Sequence, residues 1–133
     1  MKLLAIDYGE KRIGLAITDG YWIAPQKPLE NLSLDEIIIT LEKIVKREKI
    51  EKIILGLPYP FKIKQNDRLK ITKTFGKELE QAISVPLEFS SEIFTTKLAK
   101  MFSYTKSQKK NIDSRAACFI LEHYLTKINA KKY

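Results

Sequence analysis

Three carboxylates in this chain stand where a sheet could gather them: Asp7, Glu92 and Asp113. Asp7 follows Leu3-Leu4-Ala5-Ile6, an apolar run that predicts a buried strand. The chain then turns tightly through Gly9 and returns as Ile13-Gly14-Leu15-Ala16-Ile17. An ionised aspartate at the end of a central strand is costly unless positive charge meets it. Glu92 comes just after a short predicted strand, Val85 to Phe89, and Asp113 opens the predicted last helix in Asp113-Ser114-Arg115-Ala116-Ala117. Brought to one edge, three such acids form a hard oxygen site of the kind Mg²⁺ or Mn²⁺ prefers, at roughly 2.0–2.1 Å. Two such ions about 3.5–4 Å apart can activate a water and stabilise the leaving oxygen of a phosphodiester. Each acid also has a plainer use: bracing the turn at Gly9, favouring a helix dipole, or capping a helix.

The elements that must position these acids are legible in order. Three strands open the chain, roughly 2–8, 12–18 and 22–28, with Asp19-Gly20 as a hairpin signal between the second and third. Ser33-Leu34-Asp35-Glu36 is a capping box, and Leu34, Ile37, Ile38, Leu41, Ile44 and Val45 follow at helical spacing. Ile53 to Leu57 is a fourth strand. A helix from Asn66 or Asp67 buries Leu69, Phe75, Leu79 and Ile83, and the strand at 85–89 is the fifth. Two helices close the chain, about 95–102 and 112–127. This order predicts an α/β fold with a mixed five-stranded sheet: three antiparallel strands, then parallel additions through helical crossovers, with helices on both faces. In such sheets functional groups collect at the carboxyl ends of the parallel strands.

Composition narrows the partner. The 133 residues suit a single domain, 1–133, with 44% hydrophobic residues and no apolar run long enough to span a membrane. No signal-peptide pattern follows Met1, so a cytoplasmic protein is expected. Cys118, the only cysteine, lies in an apolar helical run and reads as a small buried hydrophobe. His123, the only histidine, reads as a surface or half-buried side chain. The net charge of +8 suits a polyanion. Only four of the 24 basic residues are arginine, so backbone- or shape-directed binding is expected rather than reading of base edges. Tyr59 and Phe61 with Lys62 and Lys64 form a loop that could stack on and neutralise single-stranded nucleic acid, or simply plug onto the core.

The motifs resemble those of the YqgF family, also called the RuvX or Holliday-junction-resolvase-like family. Asp7-Tyr8-Gly9-Glu10-Lys11-Arg12-Ile13-Gly14 is similar to its D-x-G-x-K-R-I-G opening, and Gly56-Leu57-Pro58 to its G-L-P segment. Ser91 to Thr96 resembles D-E-R-L-T-T, and Ile112 to Ala117 its D-x-x-A-A helix. The resemblance implies an RNase H-like fold and a metal-dependent nuclease, acting in 5′-end maturation of pre-16S rRNA or on branched DNA. It implies that Asp7, Glu92 and Asp113 are the catalytic, metal-binding acids and that Mg²⁺ or Mn²⁺ is the cofactor. It also implies that the basic pair Lys11 and Arg12 holds the substrate backbone. The expected partner is therefore structured RNA or branched DNA, with no membrane and with a homodimer left open.

The chain departs from the family pattern at Ser91, which replaces an Asp, and at Ile93, which replaces an Arg. The loop after Gly56-Leu57-Pro58 lacks the family's polar N-x-D-G, and Ala116 stands where junction resolvases carry a second acid. These departures motivate a second reading, a non-catalytic nucleic-acid-binding or ribosome-assembly protein. The D-x-G turn is also shared with sugar kinases and actin-like ATPases, which need two such domains where this chain has one.

Overall fold

The computed structural model describes residues 1–58, 63–91 and 112–131, leaving aside the side chains of 63–66, 91, 112, 113, 130 and 131. Alternating and continuous apolar runs form the strands β1 (Leu3–Tyr8), β2 (Arg12–Thr18), β3 (Ile23–Glu30), β4 (Lys52–Leu57) and β5 (Leu87–Ser91). They make one sheet in the order β3-β2-β1-β4-β5. β1, β2 and β3 pair antiparallel, whereas β4 runs parallel to β1 and β5 parallel to β4, as the sequence predicts. The helices among the described residues are α1 (Leu34–Glu48), α2 (Ile63–Ala82) and α3 (Ile112–Lys131). None is long and apolar enough to cross a membrane.

The capping box is present as expected. The Ser33 hydroxyl accepts from the Glu36 N–H at 3.2 Å, and the Glu36 carboxylate accepts from the Ser33 N–H at 3.1 Å. The Asp19-Gly20 hairpin also forms, with Gly20 at φ 101°. Asp19 accepts from the N–H groups of Tyr21 and Trp22, which hold its carboxyl below the usual carboxylate range. Trp22 is thus consumed by the turn, and the strand starts at Ile23 instead.

Other boundaries move for similar reasons. β5 begins after Pro86 rather than at Val85. The proline has no N–H for a ladder, although its carbonyl accepts from Ile53 N–H at 2.9 Å. α2 starts at Ile63, about one turn earlier than Asn66. Leu34 is exposed and Ile38 and Leu69 only half-buried. The helix expected at 95–102 lies outside the described residues.

Period-two alternation divides the sheet residues between two cores. Leu4, Ile6, Ile13, Leu15, Ile17 and Leu55 face α1 and α2, where Ile37, Leu41, Ile44, Phe75 and Leu79 meet them. Leu3, Ala5, Ala16 and Ile54 face α3, against Ala117, Ile120 and Leu121. Small residues let α3 come close to the sheet. At Gly56, a Cβ would lie 2.4 Å from Ile120 Cδ1, and Ile120 is itself buried.

Two outcomes follow from this packing. Gly56→Ala forces Ile120 out of its place and costs about 1–3 kcal/mol of stability, read as a lower urea midpoint. Cys118 is half-buried beside the α3 core, and burial pushes its thiol up to about 11. Thiolate is the reactive form, so at pH 8 iodoacetamide meets a thiolate fraction of roughly one in a thousand. Alkylation of the folded protein should be slow, rise with pH toward 11, and become fast when urea unfolds the chain.

Candidate active site

Asp7 is the penultimate residue of β1 and half-buried. Strand alternation places it with Leu3 and Ala5 on the face that carries α3. Its in-register partner on β2 is Gly14, which has no side chain to cover it. On the other side, Ile6 pairs with Leu55, Gly56 with Ser90 and Leu57 with Ser91. The carboxyl ends of β1, β4 and β5 therefore lie along one rim. The turn that follows Asp7 is tight: Gly9 N–H donates to Arg12 C=O at 3.0 Å, and a Cβ on Gly9 would lie 2.5 Å from that same oxygen. Only glycine fits there.

The start of α3 is tied to the same region by a contact the sequence reading missed. Between Ile13 and Leu15 on β2 the register moves two residues, while on β3 it moves three, from Leu29 to Gln26. This is a bulge on β3, and it includes Pro28. Ser114, fully buried in the first turn of α3, fills the gap. Its hydroxyl accepts from Leu15 N–H at 3.3 Å and donates to Gln26 C=O. Leu15 adjoins Gly14, the partner of Asp7. The helix turn that carries Asp113 is thereby bonded one residue away from Asp7's neighbour on β2.

The other expected site residues are placed unevenly. Arg12 shares the α3 face with Gly14 and pairs with Glu30, Nε to Oε2 at 3.0 Å. Both side chains are about half exposed, 50% and 49%, so the pair is worth at most about 1 kcal/mol and is cheaply exchanged for a phosphate. Lys11 is exposed and borders a small cavity of about 170 Å³ near the start of α1, with Gly9, Glu10 and Asn31. The two basic residues thus have different neighbours. Glu92, Lys62 and the side chains of Lys64 and Asp113 lie outside the described residues.

Among the described residues no group of three His, Cys, Asp or Glu side chains is arranged to hold a metal. Two of the three candidate acids fall outside that set. Asp7 itself fits a hard cation by its chemistry: an oxygen donor, half-buried, at a strand end facing the helix that carries the next acid.

A second contact was also missed. Arg68 of α2 donates through Nη2 to the Tyr8 carbonyl, and its guanidinium lies 5.6 Å from the centre of the Tyr8 ring. That ring stacks on Phe75 at 4.0 Å. A signal for both contacts exists in the helix periodicity. Arg68 continues the buried stripe Thr72-Phe75-Leu79, and Ser114 continues Ala117-Leu121, so each is a polar residue on an apolar face.

Ser114→Ala leaves two buried backbone groups without their partner and should lower stability by about 1–3 kcal/mol. Hydrogen exchange should speed up at Leu15 in particular, which locates the loss at the bulge rather than across the domain.

Comparison with known proteins gives a consistent result. A model of the family described as RuvX, Holliday junction resolvase, matches residues 1–127. A protein of Sulfurihydrogenibium sp. named "putative pre-16S rRNA nuclease" is 34% identical, with 96% of this chain and 92% of that protein covered. One of the same name from Chlorobium phaeobacteroides is 36% identical over 93% of this chain and 91% of its own length. In structure the chain is similar to Thermus thermophilus RuvC, solved in complex with a Holliday junction substrate. The TM-score is 0.61 with 96% of both chains covered, at 11% sequence identity, which establishes a shared RNase H-like fold. With motif order, sheet topology and near full-length similarity in agreement, this chain belongs to the RuvX family.

Proposed function

We propose that this chain is a divalent-metal-dependent nuclease, working as one RNase H-like domain on the phosphodiesters of structured nucleic acid. The substrate we favour is a pre-16S rRNA precursor at its 5′ end, with Holliday-junction-like branched DNA as the other candidate. The observation that carries this reading is the rim itself. Asp7 lies at the carboxyl end of β1, on the face where the Ser114 contact brings the start of α3, within a chain that matches nuclease relatives over nearly its whole length.

Asp7, Glu92 and Asp113 are the residues that would hold Mg²⁺ or Mn²⁺. When bound, the cation would lower the pKa of an attacking water and neutralise charge on the scissile phosphate. The remaining work falls to the chain's own groups. Arg12 can trade its half-exposed bond to Glu30 for a non-bridging phosphate oxygen and keep a charge-assisted hydrogen bond. Lys11, Lys62 and Lys64 would neutralise the flanking backbone as point charges, and binding should weaken steeply as salt rises. A cytoplasmic location accords with such a substrate.

The test is cleavage of a 5′-extended 16S rRNA fragment and of a synthetic four-way DNA junction, each with Mn²⁺, Mg²⁺ or EDTA. Asp7→Asn should reduce cleavage by roughly 100-fold or more while leaving RNA binding in EDTA intact. Unchanged cleavage in that variant would remove Asp7 from the site. Ser91 and Ile93 motivate the competing reading, a nucleic-acid-binding or ribosome-assembly protein without catalysis. Tight RNA binding with no calorimetric Mn²⁺ signal and no cleavage would establish it.

A further inference from the structure

Tyr8 is held more firmly than a strand-end residue needs to be. Its ring stacks on Phe75 at 4.0 Å with the planes 6° apart, and the Arg68 guanidinium lies 5.6 Å from its centre. Its carbonyl accepts from the same guanidinium. Arg68 occupies the first half of α2, one turn before Thr72, whose buried hydroxyl donates back to the Arg68 carbonyl at 2.8 Å. The guanidinium meets both the side chain and the backbone of the residue that follows Asp7.

The consequence for Asp7 is geometric. Alternation turns Tyr8 toward α2 and Asp7 toward α3, so the two side chains leave the strand on opposite faces from adjoining peptide units. Any rotation of the strand end that swings Asp7 must also pull Tyr8 from its contacts with Phe75 and Arg68. Beyond Tyr8 the chain is already committed to the tight turn at Gly9. Without Arg68, the Tyr8 ring and the Tyr8 carbonyl each lose a contact.

We propose that Arg68 is a positioning residue: through Tyr8 it sets the angle at which Asp7 meets the catalytic cation. The inference rests on Asp7 being a metal ligand, as set out above. Positional support of this kind typically alters metal affinity or activity by about 10–100-fold when removed. A sign separates positioning from charge alone. Arg68 carries a positive charge beside a cation site, so simple electrostatics makes its removal tighten metal binding, whereas loss of alignment makes binding weaker.

The measurements use the full chain with Arg68→Met, which keeps an apolar stem over the Tyr8 ring, and Arg68→Lys, which keeps the charge and one donor. For Arg68→Met, Mn²⁺ affinity by calorimetry should fall roughly tenfold and kcat by at least as much, with KM for RNA nearly unchanged. Arg68→Lys should recover part of both. Thermal melting in EDTA reports folding separately from the metal.

Three results would overturn the proposal. Tighter Mn²⁺ binding would show that Arg68 acts only through its charge. A raised KM with kcat and Mn²⁺ affinity intact would make it a substrate contact. A lower melting temperature with kcat and Mn²⁺ affinity intact would make it purely structural. If Asp7→Asn abolishes Mn²⁺ binding and both Arg68 variants leave it untouched, positioning fails and the metal site stands. If Asp7→Asn itself changes nothing, the site assignment fails first.

Discussion

A buried serine hydroxyl, set into a break in an antiparallel ladder, governs how the last helix meets the sheet. Beside the β3 bulge Leu15 and Gln26 face each other across the ladder, and Ser114 accepts from the N–H of one and donates to the C=O of the other. Buried backbone groups are almost always paired, so the sheet defect and the helix position support each other. Much else depends on that contact. Ala117 can rest on Ala5 and Ala16, Ile120 can fill the space above Gly56, and α3 begins beside the strand partner of Asp7.

The end of β1 is gripped from both faces of the sheet. On one side lie Asp7, Gly14 and Arg12; on the other, Tyr8 meets Phe75 and Arg68. Of the four arginines, Arg12 and Arg68 flank this strand end and Arg115 directly follows Ser114 in the first turn of α3. Arginine's planar, multiply donating head group suits fixed contacts to carbonyl and anionic oxygens, and the lysines supply most of the diffuse positive charge. The basic composition therefore has two components: a few arginines placed at the rim, and a general excess that attracts a polyanion over distance.

Local signals were read well because they depend on neighbours in the chain. The Ser33–Glu36 capping box, the Asp19-Gly20 turn, the β2 boundaries and the antiparallel-then-parallel strand order all emerged as expected. Strand starts shift by a residue or two. Trp22 is bound into the turn by Asp19, three residues back, and the strand follows it. Val85 and Pro86 read as strand, yet ladder pairing begins only at Leu87. The surroundings of Lys11 and Arg12 were not legible in the sequence: cross-strand register brings Arg12 to Glu30, and Lys11 borders a cavity near α1.

What the sequence by itself determined was the chemistry on offer and the order of the elements. Residue type, apolar period and cap pattern are properties of short stretches, so the strand order and the helix cap follow from them. What only the tertiary structure decided was which polar groups serve the site indirectly. Ser114 bonds to backbone 88 and 99 residues away, and Arg68 to a carbonyl 60 residues away. Such pairings arise from register between strands and from the depth at which a helix settles. Neither is encoded in any one segment, because both result from packing all of them at once.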